Sequence, residues 1–173
     1  MKLTGGQIIA KALKANGVDY VAGMPGDGSW SLVEALLTAG TDIPFIQVMQ
    51  EQSGVHLADG YFRACGRPMA VLLAEPLGLS KALGGIAAAS AQASAMLVIS
   101  GGDTQCNDAR LAAASGGITK EHVRVAQIEH LPESLRQAFD TMFSERVGPV
   151  SLDIPAAVQN ASMDVNLAPA TLR

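Results

Sequence analysis

The sequence predicts an α/β fold, a three-layer sandwich in which a mainly parallel sheet of about six strands is covered by helices on both faces. Three observations predict it. Short apolar runs alternate with longer stretches in which apolar residues recur at helical spacing. The connections between the short runs are too long for hairpins, which makes the strands parallel and the crossovers helical. The run 69–74 is apolar without interruption between Pro68 and Pro76, as a strand buried on both faces must be.

The elements follow in order. Thr4-Gly5-Gly6-Gln7 reads as a capping box that opens a helix with a stripe of Ile8, Ile9, Ala12 and Leu13, ended by Asn16-Gly17. Residues 18–23 form a short strand, and the loop Met24-Pro25-Gly26-Asp27-Gly28 leads into a second helix carrying Trp30, Leu32, Val33, Leu36 and Leu37. A second strand at 43–48 runs directly into a third helix at 51–64, with Val55, Ala58, Phe62 and Cys65 at helical spacing and Gly66-Arg67-Pro68 as its stop. The third strand, 69–74, is central.

After Glu75-Pro76-Leu77-Gly78 comes a helix at 79–93 rich in Ala and Gly, whose small side chains allow close approach to the sheet or to another subunit. A fourth strand at 96–100 leads into a polar loop at 101–117. Residues 123–128 alternate apolar and polar, as a half-exposed edge strand does. Pro132 begins an amphipathic helix with Leu135, Ala138, Phe139, Met142 and Phe143 on one face, and a last strand lies within 148–155. Beyond Val158 the composition becomes linker-like, so residues 1–160 are read as one domain and 161–173 as a C-terminal tail.

Composition narrows the function classes. At 49% hydrophobic and 16% charged, the chain buries a substantial core and leaves apolar surface to be covered, which predicts an oligomer. A net charge of −4 with no basic run argues against a nucleic-acid surface. No uninterrupted apolar run reaches the roughly 18 residues of a membrane span. Cys65 and Cys106 stand apart without metal-ligand spacing, and Met1-Lys2-Leu3-Thr4 lacks a signal-peptide core, so the expected compartment is cytoplasmic. His56, His122 and His130 show neither nucleophile nor metal spacing.

The chemistry-bearing residues gather after strands. Pro25, Gly26 and Asp27 follow the first, Glu51 the second, Gly78 and Ser80 the third, and Gly101-Gly102-Asp103 the fourth. In an open parallel sheet these loops form one rim, where ligands bind. Taken alone, each has a plain structural account. An acid in a first helical turn complements the macrodipole by about 0.3–1 kcal/mol, Gly26 suits a tight turn, and an aspartate before a helix caps it.

Together, in this order, they resemble the N-terminal, pyrimidine-binding domain of thiamine diphosphate enzymes of the acetolactate synthase, pyruvate decarboxylase and sulfopyruvate decarboxylase group. The marks are Gly23-Met24-Pro25-Gly26, Glu51-Gln52, Ala58-Asp59-Gly60-Tyr61-Phe62-Arg63, Gly66-Arg67-Pro68, Gly84-Gly85-Ile86-Ala87 and Gly148-Pro149-Val150-Ser151-Leu152-Asp153-Ile154-Pro155. The resemblance implies that Glu51 hydrogen-bonds the ring nitrogen of the cofactor's aminopyrimidine. It also implies that Pro25, Gly26, Gly78 and Ser80 line the cofactor, and that Asp27, matched by an aspartate in pyruvate decarboxylases, can handle a proton. A partly desolvated carboxyl can hold and exchange a proton where an exposed glutamate stays ionised.

The chain departs from the family in two places. Where many members have Ser-Gly-Pro-Gly and then Thr-Asn, this chain has Glu75-Pro76-Leu77-Gly78-Leu79-Ser80-Lys81, which adds two charges to a neutral rim. Glu75 and Lys81 can face a polar substrate or pair with each other, and Gln105 can line the substrate side in place of the paired histidines of pyruvate decarboxylases. Gly26-Asp27-Gly28-Ser29 imitates the start of the family's magnesium and diphosphate motif, but no asparagine lies between Asn16 and Asn107 to complete it. No metal site is expected on this chain.

The resemblance therefore implies the small subunit of a split lyase or carboligase, inactive alone: a 2-oxo acid decarboxylase, or an acetolactate synthase-like or 2-hydroxyacyl-CoA lyase-like enzyme. Thiamine diphosphate would be shared with a larger or similar-sized partner subunit that holds Mg²⁺ and the diphosphate, in a heterotetramer or higher assembly. The alternative is a non-catalytic regulatory or assembly paralogue. A nucleotide-binding domain ranks last, because no Gly-x-Gly-x-x-Gly follows the first strand.

Overall fold

The computed structural model describes residues 1–26, 28–74, 77–101 and 109–165. Its centre is a six-stranded, fully parallel sheet in the order β3-β2-β4-β5-β7-β6, with β2 at Val21–Gly23, β3 at Phe45–Gln47, β4 at Met69–Leu73, β5 at Met96–Ser100, β6 at Glu121–Arg124 and β7 at Val150–Asp153. Each strand sends alternate residues to opposite faces. Ala70 and Leu72 of β4 join a core with α1 (Gly5–Ala15), α2 (Trp30–Thr38) and α6 (Leu131–Phe143). Met69, Val71 and Leu73 join a second core with α3 (Glu51–Cys65) and α4 (Leu77–Ala91). All five residues of β4 are inaccessible to solvent, as its unbroken apolar run requires.

Local chemistry sets several boundaries where the sequence places them. Thr4 is the N-cap of α1 and shares a reciprocal capping box with Gln7. Gly66 ends α3 in the left-handed conformation at φ 72°, and a proline occupies the first turn of α6. β6 is an edge strand, as expected, but begins two residues and ends four residues earlier than its alternation suggests.

Other parts differ. The stretch read as a polar loop at 101–117 contains α5 (Ala109–Ile118), whose Gly116-Gly117 pair gave it the look of a turn. The linker-like stretch after Val158 is structured as far as Val165. α7 (Ala156–Asn160) is followed by β8 (Ser162–Asp164), which pairs antiparallel with β1 (Lys2–Thr4) in a separate two-stranded sheet.

The small residues of α4 serve packing against α3. A Cβ on Gly85 would lie 2.9 Å from Cγ1 of Val55, so only glycine permits this approach. The crevice that matters lies between β2 and β4, where the chain leaves β2 towards β3 on one side and returns to β4 on the other. The loops after these strands meet at that switch point.

Candidate functional site

Glu51 is the first residue of α3, and its side chain is only 2% exposed. The chain buries it unaided, under the first turns of α4. A Cβ on Gly78 would stand 3.2 Å from both Cγ and Oε1 of Glu51, so the absence of a side chain at Gly78 makes the room the carboxylate occupies. Oε2 has no hydrogen-bond partner. The Nζ of Lys81, on the next turn of α4, lies 3.7 Å from it, while the lysine side chain is 55% exposed. Buried carboxylate oxygens are ordinarily hydrogen-bonded, so an orphan of this kind needs an account.

The loop after β2 closes the other wall. Ser29 is fully buried and ties the turn at both ends: its Oγ accepts from the Gly26 amide at 3.0 Å and donates to the Gly26 carbonyl at 2.9 Å. Gly26 leans on the end of β4, where a Cβ would come within 3.1 Å of the Ala74 Cβ. The Gly78 amide donates to the Ala74 carbonyl at 2.7 Å. Gly26, Ala74, Gly78, Glu51 and Lys81 are thus linked in one chain of contacts, with Pro25 half-buried beside Gly26 and Ser80 exposed on α4. Asp27, Glu75 and Gln105 lie outside the described residues.

Gln159 on α7 was not legible as part of this rim. It is fully buried, and its Nε2 donates to the carbonyls of Gly28 at 2.6 Å and Ile154 at 2.8 Å. It pins the β2 loop where Gly28, at φ +90°, touches the backbone of Gly101 at the end of β5. Nothing local in the sequence connects Gln159 with Gly28. Ser29 had a signal, since a serine three residues after a turn glycine can bond back to it.

The block Ala58 to Arg63 does other work. Asp59 accepts from Ser94 Oγ at 2.5 Å, with Arg63 3.9 Å away. The Tyr61 hydroxyl donates to Asp19 at 2.6 Å, a bond that holds its phenol well above the ordinary value, and Arg67 pairs with the same aspartate at 2.9 Å. These contacts fasten α3 to the sheet. Among the described residues, no three His, Cys, Asp or Glu side chains come together as a metal site requires.

With this geometry in hand, comparison with known proteins is decisive. The family described as thiamine pyrophosphate enzyme, N-terminal TPP binding domain, matches residues 3–121. The chain belongs to that family. It is 33% identical over 92% of its length to an acetolactate synthase large subunit of Haemophilus influenzae, and 33% over 91% to the acetolactate synthase isozyme 3 large subunit of Escherichia coli. A probable acetolactate synthase large subunit of Methanocaldococcus jannaschii is 30% identical over 96% of the chain. In each case the chain spans 29% of the relative's length. The match begins at Leu3 and takes in β2 to β5, ending at the first residue of β6, so Glu51, Gly26 and Gly78 all lie within the domain that gives the family its name.

Proposed function

We infer that this chain supplies the pyrimidine-binding half of a thiamine diphosphate-dependent lyase or carboligase acting on a 2-oxo acid or a related 2-hydroxyacyl compound, and that it does so as the small subunit of a split enzyme. The observation that carries the reading is the Glu51 carboxylate: buried, braced by Gly78, and left with one oxygen lacking a hydrogen bond. Such a group fits a ring nitrogen that shares a proton with it. Gly26 and Gly78, at both of which a Cβ would crowd a neighbour, fit a flat ring approached closely by backbone.

When bound, the cofactor supplies the electron sink for breaking or making a bond to the carbonyl carbon. The protein's part is narrower. Glu51 holds and returns a proton at the ring nitrogen; Pro25, Gly26, Gly78 and Ser80 position the ring; Asp27 handles a proton of the reacting group. The family resemblance assigns Glu75, Lys81 and Gln105 to the substrate side. A partner subunit of larger or similar size brings Mg²⁺ and the diphosphate-binding residues, in a heterotetramer or higher assembly, and the chain alone is inactive. The acetolactate synthase relatives, more than three times as long, have room for that other half. The outward faces of α3 and α4, with Gln52, Ser53, Gly84 and Ala88 exposed, suit the partner. No described helix is long and apolar enough to cross a membrane. We place the enzyme in the cytoplasm.

A second reading, a regulatory or assembly paralogue without turnover, is favoured by one feature, the ammonium of Lys81 set against Glu51. One experiment separates the two. In the native assembly, Glu51→Gln lowers the rate of proton exchange at the thiazolium carbon by about 10²–10⁴, followed by NMR in deuterated buffer. An unchanged rate overturns the role of Glu51, and a wild-type assembly that fails to accelerate exchange leaves the paralogue reading standing.

A further inference from the structure

Gly78 and Lys81 are one helical turn apart on α4, so both address the same carboxylate. Gly78 makes room for Cγ and Oε1, and Lys81 approaches Oε2. The contact is one of charge without a hydrogen bond: 3.7 Å exceeds the N–H···O range, and Oε2 is otherwise unpartnered. The two ends of the pair differ sharply, since the carboxylate side chain is 2% exposed and the lysine 55%. The ammonium offsets a desolvated charge while remaining held by water, and can leave towards solvent at small cost. Among the described residues, Lys81 is the one cation paired with Glu51.

A ring nitrogen and an ionised carboxylate both present lone pairs. They come together only with a proton between them, and the Lys81 ammonium, 3.7 Å from Oε2, occupies an approach to that oxygen. Resting on the reading of Glu51 given above, we propose that Lys81 is an electrostatic brake on cofactor docking. It is a counter-charge that holds Glu51 until the cofactor arrives and swings out to the substrate side before the aminopyrimidine ring engages. Lys81 is thus a positioning residue that acts through Glu51.

The test is calorimetric titration of the native assembly with thiamine diphosphate at saturating Mg²⁺, for wild type, Lys81→Met, Lys81→Arg, Glu51→Gln and the Lys81→Met/Glu51→Gln pair. Lys81→Met keeps the aliphatic stem of an exposed side chain, and an unchanged melting temperature confirms that it folds. The expected result is cofactor binding tighter by about three- to tenfold in Lys81→Met, a gap that narrows at high salt, wild-type affinity in Lys81→Arg, and no effect of Lys81→Met in the Glu51→Gln background. Equal or weaker binding by Lys81→Met, or an effect that persists in the Glu51→Gln background, overturns the brake and leaves the cofactor reading intact. An assembly that binds no thiamine diphosphate in any form overturns both.

Discussion

Two carboxylates stand at the carboxyl-end rim of the same parallel sheet and meet opposite fates. Asp153, at the end of β7, is closed in by its neighbours: Arg124 of β6 hydrogen-bonds and ion-pairs with Oδ2, and the Ser100 hydroxyl of β5 lies 3.5 Å from Oδ1. Burial raises its carboxyl, while Arg124 and His122 pull it back down. Glu51 is more deeply buried, yet its Oε2 has only a loose charge contact with an exposed lysine. A buried charge tied to fixed neighbours belongs to the fold: burial still outweighs those partners at Asp153, but taking one partner away strands the other. One left with an unpartnered oxygen has no such fixed neighbours, which is what the proposed cofactor role requires. The rim therefore has a closed end at β6–β7 and, at β2–β4, an end whose carboxylate is left open for the cofactor role proposed above.

Substitutions can break or sharpen that contrast. The largest effect expected on stability is from Asp153→Ala, which takes the carboxylate from both Arg124 and Ser100 and costs about 1–3 kcal/mol in chemical denaturation. Cofactor affinity should stay at its wild-type value, and a loss of affinity in correctly folded protein would blur the division. Gly78→Ala should behave in the reverse way. Alanine favours the helix by about 0.5–1 kcal/mol, whereas its Cβ, 3.2 Å from Glu51 Cγ and Oε1, displaces the carboxylate. Unchanged or raised thermal stability is therefore expected together with a thiazolium exchange rate lowered by roughly tenfold, or about 1.4 kcal/mol.

The smallest effect concerns His122, beside Ser151 at 3.2 Å. Burial pushes its imidazole below the ordinary value; Asp153 pulls it up and Arg124 adds to the depression. Below about pH 6.5 the unfolded chain therefore binds the proton more readily than the folded one. The stability present above that pH is lost as pH falls through the folded value. Melting temperature should decline on mild acidification, and less steeply in His122→Gln. The raised carboxyl of Asp153 works in the opposite sense at lower pH, since the fold takes up its proton first. An identical slope in both proteins would remove His122 from the account.

Much of the sandwich was legible because its causes are local. The unbroken apolar run of β4, the reciprocal bonds of Thr4 and Gln7, and the left-handed stop at Gly66 each depend on residues within a few positions of one another. α5 was missed because Gly116 and Gly117 carry a turn's signature, although packing on β6 and α4 keeps them helical. The β1–β8 ladder was missed because two three-residue strands at opposite ends of the described chain carry too little pattern to suggest that they pair.

At the rim, the type of residue and its place after a strand were readable in advance, since the strand-to-helix transition at Glu51 and the glycines at 26 and 78 follow from local preference. Their partnership was not. Gly78 shields Glu51, Lys81 reaches it, and Gln159 pins the loop at Gly28, only because α4 packs on α3 through Gly85 and Val55 and α7 returns beneath the β2 loop. Contacts of that kind join residues far apart in the chain, where steric fit and the desolvation of a single carboxylate are settled by how the layers pack.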